Sequence, residues 1–281
     1  MDFFSPLRYP GGKTRLSYFL QKAIEENFIE NNKIVLVEPY AGGAGASLKL
    51  LYSGKVKKII INDLDKAIYS FWKTATEDTD YLIRKIKSVI IDIDEWKKQK
   101  KIFSNPSTSI KKLAFATLFL NRTNYSGIIK GGPIGGVHQS GFWNVRSRFN
   151  KDLIIKRLNL IKEHKNSIGV RNYDGIYFLK RLEKNKKKDD YFIFIDPPYY
   201  KKGKSLYLNH YIDKNHEKLS KFLEKTPLKW VMTYDDVLFI RKLYRKMRKT
   251  KFVINHSAYR SKMGKEILIY SDKIAKIAVK F

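Results

Sequence analysis

The chain contains no cysteine, which excludes disulfides, thiolate metal sites and any mechanism that attacks a substrate through a cysteine sulfur. Long apolar runs are missing too: none approaches the ~18 residues that would span a bilayer. The opening residues, Met1 to Arg8, carry a single basic residue and no apolar core before the first glycines, so no secretory signal is expected. Five histidines, His138, His164, His210, His216 and His256, are scattered without metal-ligand spacing, and no metal is expected. Acidic residues are scarce, 27 Asp plus Glu against 57 Lys plus Arg.

The resulting formal charge of +30 creates a positive field suited to a polyanion such as nucleic acid. An anionic membrane surface is the rival partner, but no strongly amphipathic terminal helix is present to dock there. The abundance of Lys, Ile and Asn also fits an A/T-rich genome, in which case many lysines are plain solvated surface. With 281 residues, 43% of them hydrophobic, the chain can bury a full core and suits one domain with an insertion.

Residues 33–37 form a short apolar run ending in Glu38-Pro39-Tyr40-Ala41-Gly42-Gly43-Ala44-Gly45-Ala46, after which residues 47–51 read as a helix. A second run, Ile59-Ile60-Ile61, ends in Asn62-Asp63-Leu64-Asp65 and leads into a helical pattern through Ile68, Phe71 and Trp72. This order predicts an α/β, Rossmann-like domain with a largely parallel sheet. Residues 66–165 read as a basic, helical insert, interrupted by glycines between Gly127 and Gly141; residues 1–65 and 166–281 form the main domain. Further strands are expected at 168–170, 191–195, 230–233 and 266–270, and residues 184–190 read as a solvated loop.

Three segments carry chemistry. In Phe194-Ile195-Asp196-Pro197-Pro198-Tyr199, a buried strand delivers a carboxylate to its carboxyl end, where open α/β sheets place ligands. Two prolines then fix the backbone and free the Pro197 carbonyl to act as a rigid acceptor. A carboxylate, a carbonyl and the flat ring of Tyr199 together form a receptor for an amino group on a planar base; a plain strand-to-turn junction is the alternative. The glycine turn after Glu38 lacks both P-loop and dinucleotide spacing. It gains meaning from Asp63, at the end of the next strand, which can accept hydrogen bonds from ribose hydroxyls or simply cap a helix. Finally, Arg8-Tyr9-Pro10-Gly11-Gly12-Lys13 holds a Gly-Gly turn that can present Lys13 to a carboxylate, with Tyr9 nearby.

In this order the segments resemble the Dam-like, D12-class N6-adenine DNA methyltransferases over nearly the whole chain. The resemblance implies S-adenosylmethionine as cofactor and methyl donor, S-adenosylhomocysteine as product, and double-stranded DNA as partner. It implies Asp196, Pro197, Pro198 and Tyr199 as the catalytic loop, acting on a flipped-out adenine. Tyr9, Lys13, Tyr40, Gly42, Asp63 and Asp196 match cofactor positions. Asn172-Tyr173-Asp174 and Met232-Thr233-Tyr234-Asp235-Asp236 resemble the family's acidic motif and its Ser-Tyr-Asn-Asp segment.

Within the insert, residues 121–130 and 148–150 resemble the DNA-contacting hairpin, which marks Arg122, Asn124, Tyr125, Lys130 and Arg148 as DNA-binding. The copy departs from the family pattern: Ser126 replaces a usual Asn, Lys130 replaces a usual base-reading Arg, and residues 131–136 add glycines. Lys cannot reproduce the bidentate fork of Arg on guanine, so a GATC target does not follow. Asp196 favours adenine over N4-cytosine methylation, where Ser is usual, and the missing cysteine disfavours C5-cytosine methylation. RNA adenine methylation and a catalytically silent DNA-binding role are also compatible with these residues. A cytoplasmic location and a companion restriction endonuclease are further expectations.

Overall fold

Strand β4 (Tyr191–Ile195) is buried along its whole length, as expected where apolar residues run without alternation and both sheet faces are covered. A computed structural model describes residues 4–8, 16–28, 33–201, 211–256 and 262–275. In it β4 lies beside β1 (Val35–Glu38), which pairs in parallel with β2 (Lys58–Asn62), itself parallel to β3 (Ile168–Arg171). On the other side β4 pairs in parallel with β5 (Lys229–Asp235). Strand β7 (Lys262–Tyr270) runs antiparallel to both β5 and β6 (Arg248–His256). The sheet order is β3-β2-β1-β4-β5-β7-β6, the largely parallel α/β architecture expected.

Alternation along each strand sends neighbours to opposite faces. Leu36, Ile59, Phe192 and Phe194 join one core with α1 (Ser17–Asn27), α2 (Gly45–Tyr52) and the helices that separate β2 from β3. These are α3 (Lys66–Glu77), α4 (Thr79–Ser88), α5 (Ile93–Ser104), α6 (Ile110–Thr123) and α7 (Lys151–Glu163). Val37, Ile193, Ile195 and Met232 pack on the opposite side against α8 (Gly175–Glu183), α9 (Asp213–Lys225) and α10 (Leu238–Leu243). The helical block thus shares its core with the sheet: Phe71, Trp72, Phe119 and Leu158 belong to the same cluster as Leu36.

Short polar side chains start these helices where the sequence places them. Asp65 accepts from Ala67 N at the start of α3, Asp92 from Glu95 N at α5, Asn150 from Leu153 N at α7 and Asp174 from Tyr177 N at α8, satisfying donors that a helix cannot use internally. Strand β6 is absent from the sequence expectations. It lies at the sheet edge, pairs with β7 alone, and begins Arg248-Lys249-Thr250-Lys251, the charged signature of a guarded edge rather than of a buried strand.

Candidate active site

The carboxyl ends of β1, β2, β4 and β5 bring Glu38, Asp63, Asp196 and Asp235 to one edge of the sheet. Between β1 and β4 the strand order reverses, which opens the crevice where such sheets bind ligands.

Asp196 is half-buried, and its Oδ1 accepts a 2.6 Å hydrogen bond from Thr233 Oγ1 on β5. Asp235 accepts from the backbone N–H groups of Tyr200 at 3.0 Å and Lys201 at 2.9 Å. The loop Asp196-Pro197-Pro198-Tyr199 is therefore pinned to β5 at both ends. Pro197 is buried, and Tyr199 is buried with its ring 6.2 Å from that of Tyr234. Tyr200 stacks on Phe239 at 4.6 Å. Thr233 and Asp235 were legible only as part of a resembling segment; an acid closing a strand next to the catalytic one is the local signal that marks them as loop anchors.

The glycine turn is held from several sides. Asp63 Oδ2 accepts from Gly42 N at 2.9 Å, and Oδ1 accepts from Asp65 N at 2.9 Å. Asp65, not Asp63, caps α3, which removes the simple capping role for Asp63. Trp72 Nε1 donates to the Gly42 carbonyl at 2.8 Å. Gly42 sits at φ 46° and Ala44 also at φ 46°, so the turn passes twice through the left-handed region, where a side chain at 42 would be strained. Asn62 donates to the carbonyls of Pro39 and Tyr173 and accepts from Tyr173 N, tying the ends of β1, β2 and β3 together.

Burial shifts the acids here. Asp63 is pushed up to about 7, first by burial and then by the Asp65 carboxylate, against its hydrogen bonds. Glu38 is fully buried, accepts from the hydroxyl and N–H of Ser47, and is pushed up to about 8 by burial and by the nearby Asp196. Tyr40 donates or accepts in a 2.7 Å hydroxyl pair with Tyr211. Its ring lies over Gly175, where an added Cβ would come within 2.3 Å of it.

A carboxylate accepts about four hydrogen bonds; the backbone bonds of Asp63 leave capacity for a ribose diol, and the Gly42-Gly43 turn lets a ligand approach the backbone. These residues fit S-adenosylmethionine. Tyr9 and Lys13 lie outside the described residues. Among the described residues no group of acids and histidines could hold a metal ion, and no helix is long and apolar enough to cross a membrane.

In the hairpin segment, Tyr125 is 50% exposed, and Lys130 and Arg148 are exposed. Lys130 lies close enough to Asp65 to stabilise its charge, which brings the hairpin to the edge that carries Asp63. Two of the expected DNA-binding residues are buried. Asn124 is fully buried: its Oδ1 accepts from Trp96 Nε1 and its Nδ2 donates to the carbonyls of Ile128, Ile129 and Gly131. Its polar atoms are used in shaping the hairpin and cannot read a base. Arg122 is only 6% exposed on the inward side of α6, so it does not reach into a groove. Ser126, at φ 53°, occupies a left-handed position that Asn tolerates better.

The chain is 26% identical over 271 residues to the Type II methyltransferase M.MjaIII of Methanocaldococcus jannaschii, an alignment covering 89% of this chain and 83% of that one. It is 24% identical over 253 residues to the Type II methyltransferase M.CviBI of Paramecium bursaria Chlorella virus NC1A, covering 85% of each. Among solved structures, the rRNA methyltransferase aviRa from Streptomyces viridochromogenes superimposes with a TM-score of 0.42 at 12% identity, over 96% of this chain and 90% of that one. The family described as D12 class N6 adenine-specific DNA methyltransferase matches residues 9–262. With a match of that extent, the chain belongs to the D12 class of N6 adenine-specific DNA methyltransferases, enzymes that depend on S-adenosylmethionine.

Proposed function

We propose that the enzyme methylates N6 of an adenine flipped out of duplex DNA at a specific site, with Asp196, Pro197, Pro198 and Tyr199 receiving the base. The observation that carries this reading is the placement of Asp196, held by Thr233, at the crevice between β1 and β4. Adenine N6 is a poor nucleophile because its lone pair is delocalised into the ring. Asp196 and the Pro197 carbonyl each accept one N6 hydrogen, which favours the pyramidal nitrogen and stabilises the charge that develops during attack. Tyr199 supplies a flat face for the extruded base, whose unstacking costs a few kcal/mol. When bound, S-adenosylmethionine supplies an electrophilic methyl group on a sulfonium.

Asp63 holds the ribose hydroxyls, Lys13 the amino-acid carboxylate, and Tyr9, Tyr40 and Gly42 shape the rest of the cofactor site. Residues 66–165 serve as the target-recognition part, with Tyr125, Lys130 and Arg148 facing DNA. A companion restriction endonuclease, in line with the Type II names of the relatives, and a cytoplasmic setting belong to the same reading. Transfer of labelled methyl groups to duplex DNA, single strands and RNA, followed by nucleoside analysis, tests the reading: N6-methyladenine from the duplex supports it, and methylated cytosine or a product confined to RNA refutes it.

A further inference from the structure

His216 lies in the first turn of α9 with no exposure to solvent, and its imidazole is ringed by Tyr200, Tyr211, Tyr234 and Phe239, with ring centroids 5.5, 5.4, 5.7 and 6.3 Å away. The helix that carries it is fixed: Leu219 and Leu223 enter the sheet core, and Ser220 Oγ donates to the Leu243 carbonyl of α10 at 3.0 Å. His216 Nδ1 shares a hydrogen bond with the Tyr234 hydroxyl. Burial lowers the pKa of the ring, opposed by the carboxylates of Asp235 and Asp213 and by the backbone of Tyr211, so the ring is uncharged at neutral pH.

The neighbours of this ring lead to both sides of the active edge. Tyr234 stands on β5 between Thr233, which holds Asp196, and Asp235, which holds the N–H groups of Tyr200 and Lys201. Strand alternation turns Tyr234 to the opposite face, where its ring lies 6.2 Å from that of Tyr199. Tyr200 packs between His216 and Phe239. Tyr211 packs on His216 and pairs its hydroxyl with that of Tyr40 at 2.7 Å. A phenylalanine at 216 would fill much the same space among these rings without burying a polar group, which is costly unless it is hydrogen-bonded. Packing alone therefore does not call for histidine. What the imidazole adds is one directional bond, and a buried polar pair specifies a single arrangement where apolar contacts tolerate several.

We propose that His216 is a positioning residue for methyl transfer: its hydrogen bond to Tyr234 locks the aromatic frame that sets the catalytic loop, through Tyr199 and Tyr200, against Tyr40 on the cofactor side. The proposal rests on the reading that residues 196–199 receive the base and that Tyr40 belongs to the cofactor site. It adds that the placement of one site relative to the other depends on a residue that, being fully buried, touches neither substrate.

The test uses the full-length chain with His216→Phe, which keeps the ring and removes the bond, Tyr234→Phe, which removes the same bond from its other end, the double variant, and His216→Asn, whose amide can restore a polar atom near Nδ1. For each, kcat and the KM for S-adenosylmethionine are measured on duplex DNA per competent site, the sites being counted by titration with S-adenosylhomocysteine, and duplex affinity is measured in parallel. Both single phenylalanine variants are expected to lower kcat by roughly ten- to hundred-fold, the scale for a small misplacement of reacting groups. Both should also raise the KM for S-adenosylmethionine several-fold and leave duplex affinity near that of the wild type. The double variant should be no worse than either single one, because the two residues act through one bond, and His216→Asn should recover part of kcat. If His216→Phe does not fold, Tyr234→Phe alone decides by the same pattern of kcat, KM and duplex affinity. Wild-type kinetics per competent site, even with a lowered melting temperature, overturn the proposal by making His216 an ordinary core residue, and losses that simply add in the double variant overturn it as well. A wild type that makes no N6-methyladenine would instead refute the enzymatic reading, so the two failures are distinct.

Discussion

Thr233 and Asp196 join neighbouring strands across the active edge: the Thr233 hydroxyl donates a 2.6 Å hydrogen bond to Asp196 Oδ1. In the proposed chemistry this bond fixes the carboxylate that receives the adenine amino group, and Thr233 itself does not touch the base. Thr233→Val keeps the shape and removes the donor. A hydrogen bond to a charged group contributes about 1.5–3 kcal/mol, so kcat is expected to fall roughly ten- to hundred-fold while the affinity for S-adenosylmethionine stays unchanged. Single-turnover kinetics with separate cofactor titrations check this; an equal loss in both would mean that Thr233 supports the fold in general.

If Asp63 holds the cofactor ribose as proposed, cofactor binding has a pH dependence. Its carboxyl is pushed from an ordinary 3.8 to about 7, so near neutrality part of the population is protonated and offers fewer acceptors to ribose hydroxyls. Affinity for S-adenosylmethionine should therefore strengthen as pH rises through about 7, and Asp63→Asn should weaken binding and flatten this profile. Stability follows the opposite sign. The folded chain keeps a proton that the unfolded chain releases, so the contribution of Asp63 is full below its ordinary value and is lost as pH rises from there to about 7. Isothermal titration across that range, with the variant alongside, tests the binding claim.

Gly175 makes room for Tyr40. A Cβ at 175 would meet the Tyr40 ring at 2.3 Å, and Tyr40 cannot yield without breaking its hydroxyl pair with Tyr211. Gly175→Ala is expected to raise the KM for S-adenosylmethionine several-fold more than it lowers kcat, since the proposed cofactor site includes Tyr40. A variant with wild-type KM would show that the Tyr40 ring is not part of the cofactor site.

The strands that build this edge are readable from sequence because β4 is buried along its whole length and β1 and β2 over most of theirs, and they appear as largely apolar runs leading to Glu38, Asn62 and Asp196. The catalytic loop and the glycine turn could be located for the same reason: each follows such a run. What could not be read depends on tertiary packing. Arg122 and Asn124 look like the other polar residues of their segment, and only the packing of α6 against α3 and α5 turns them inward. Strand β6 escaped because an edge strand reads as solvent-exposed polar chain. The anchoring of Tyr200 and Lys201 by Asp235 spans more than thirty residues of sequence and leaves no local periodic trace.

Sequence choice should depend on Lys130. It is exposed, its carbonyl is held by Lys100 Nζ at 3.0 Å, and it lies on the hairpin segment that meets the active edge. A good base contact discriminates by about 1–3 kcal/mol, so Lys130→Ala should reduce the preference for the cognate site over a one-base variant by roughly ten- to hundred-fold. Measuring kcat/KM on both duplexes decides: an equal loss on each would make Lys130 a phosphate contact.

In the proposed chemistry Asp196 acts on the reacting amino group and not on DNA binding. Nucleoside analysis of duplex DNA after incubation with S-adenosylmethionine, for wild type and Asp196→Ala with duplex affinity measured in parallel, tests it most directly. The expected result is N6-methyladenine from the wild type and none from the variant, with DNA affinity largely retained because the carboxylate stabilises the transition state rather than the phosphates. Methylated cytosine from the wild type, or full activity in Asp196→Ala, would contradict this role.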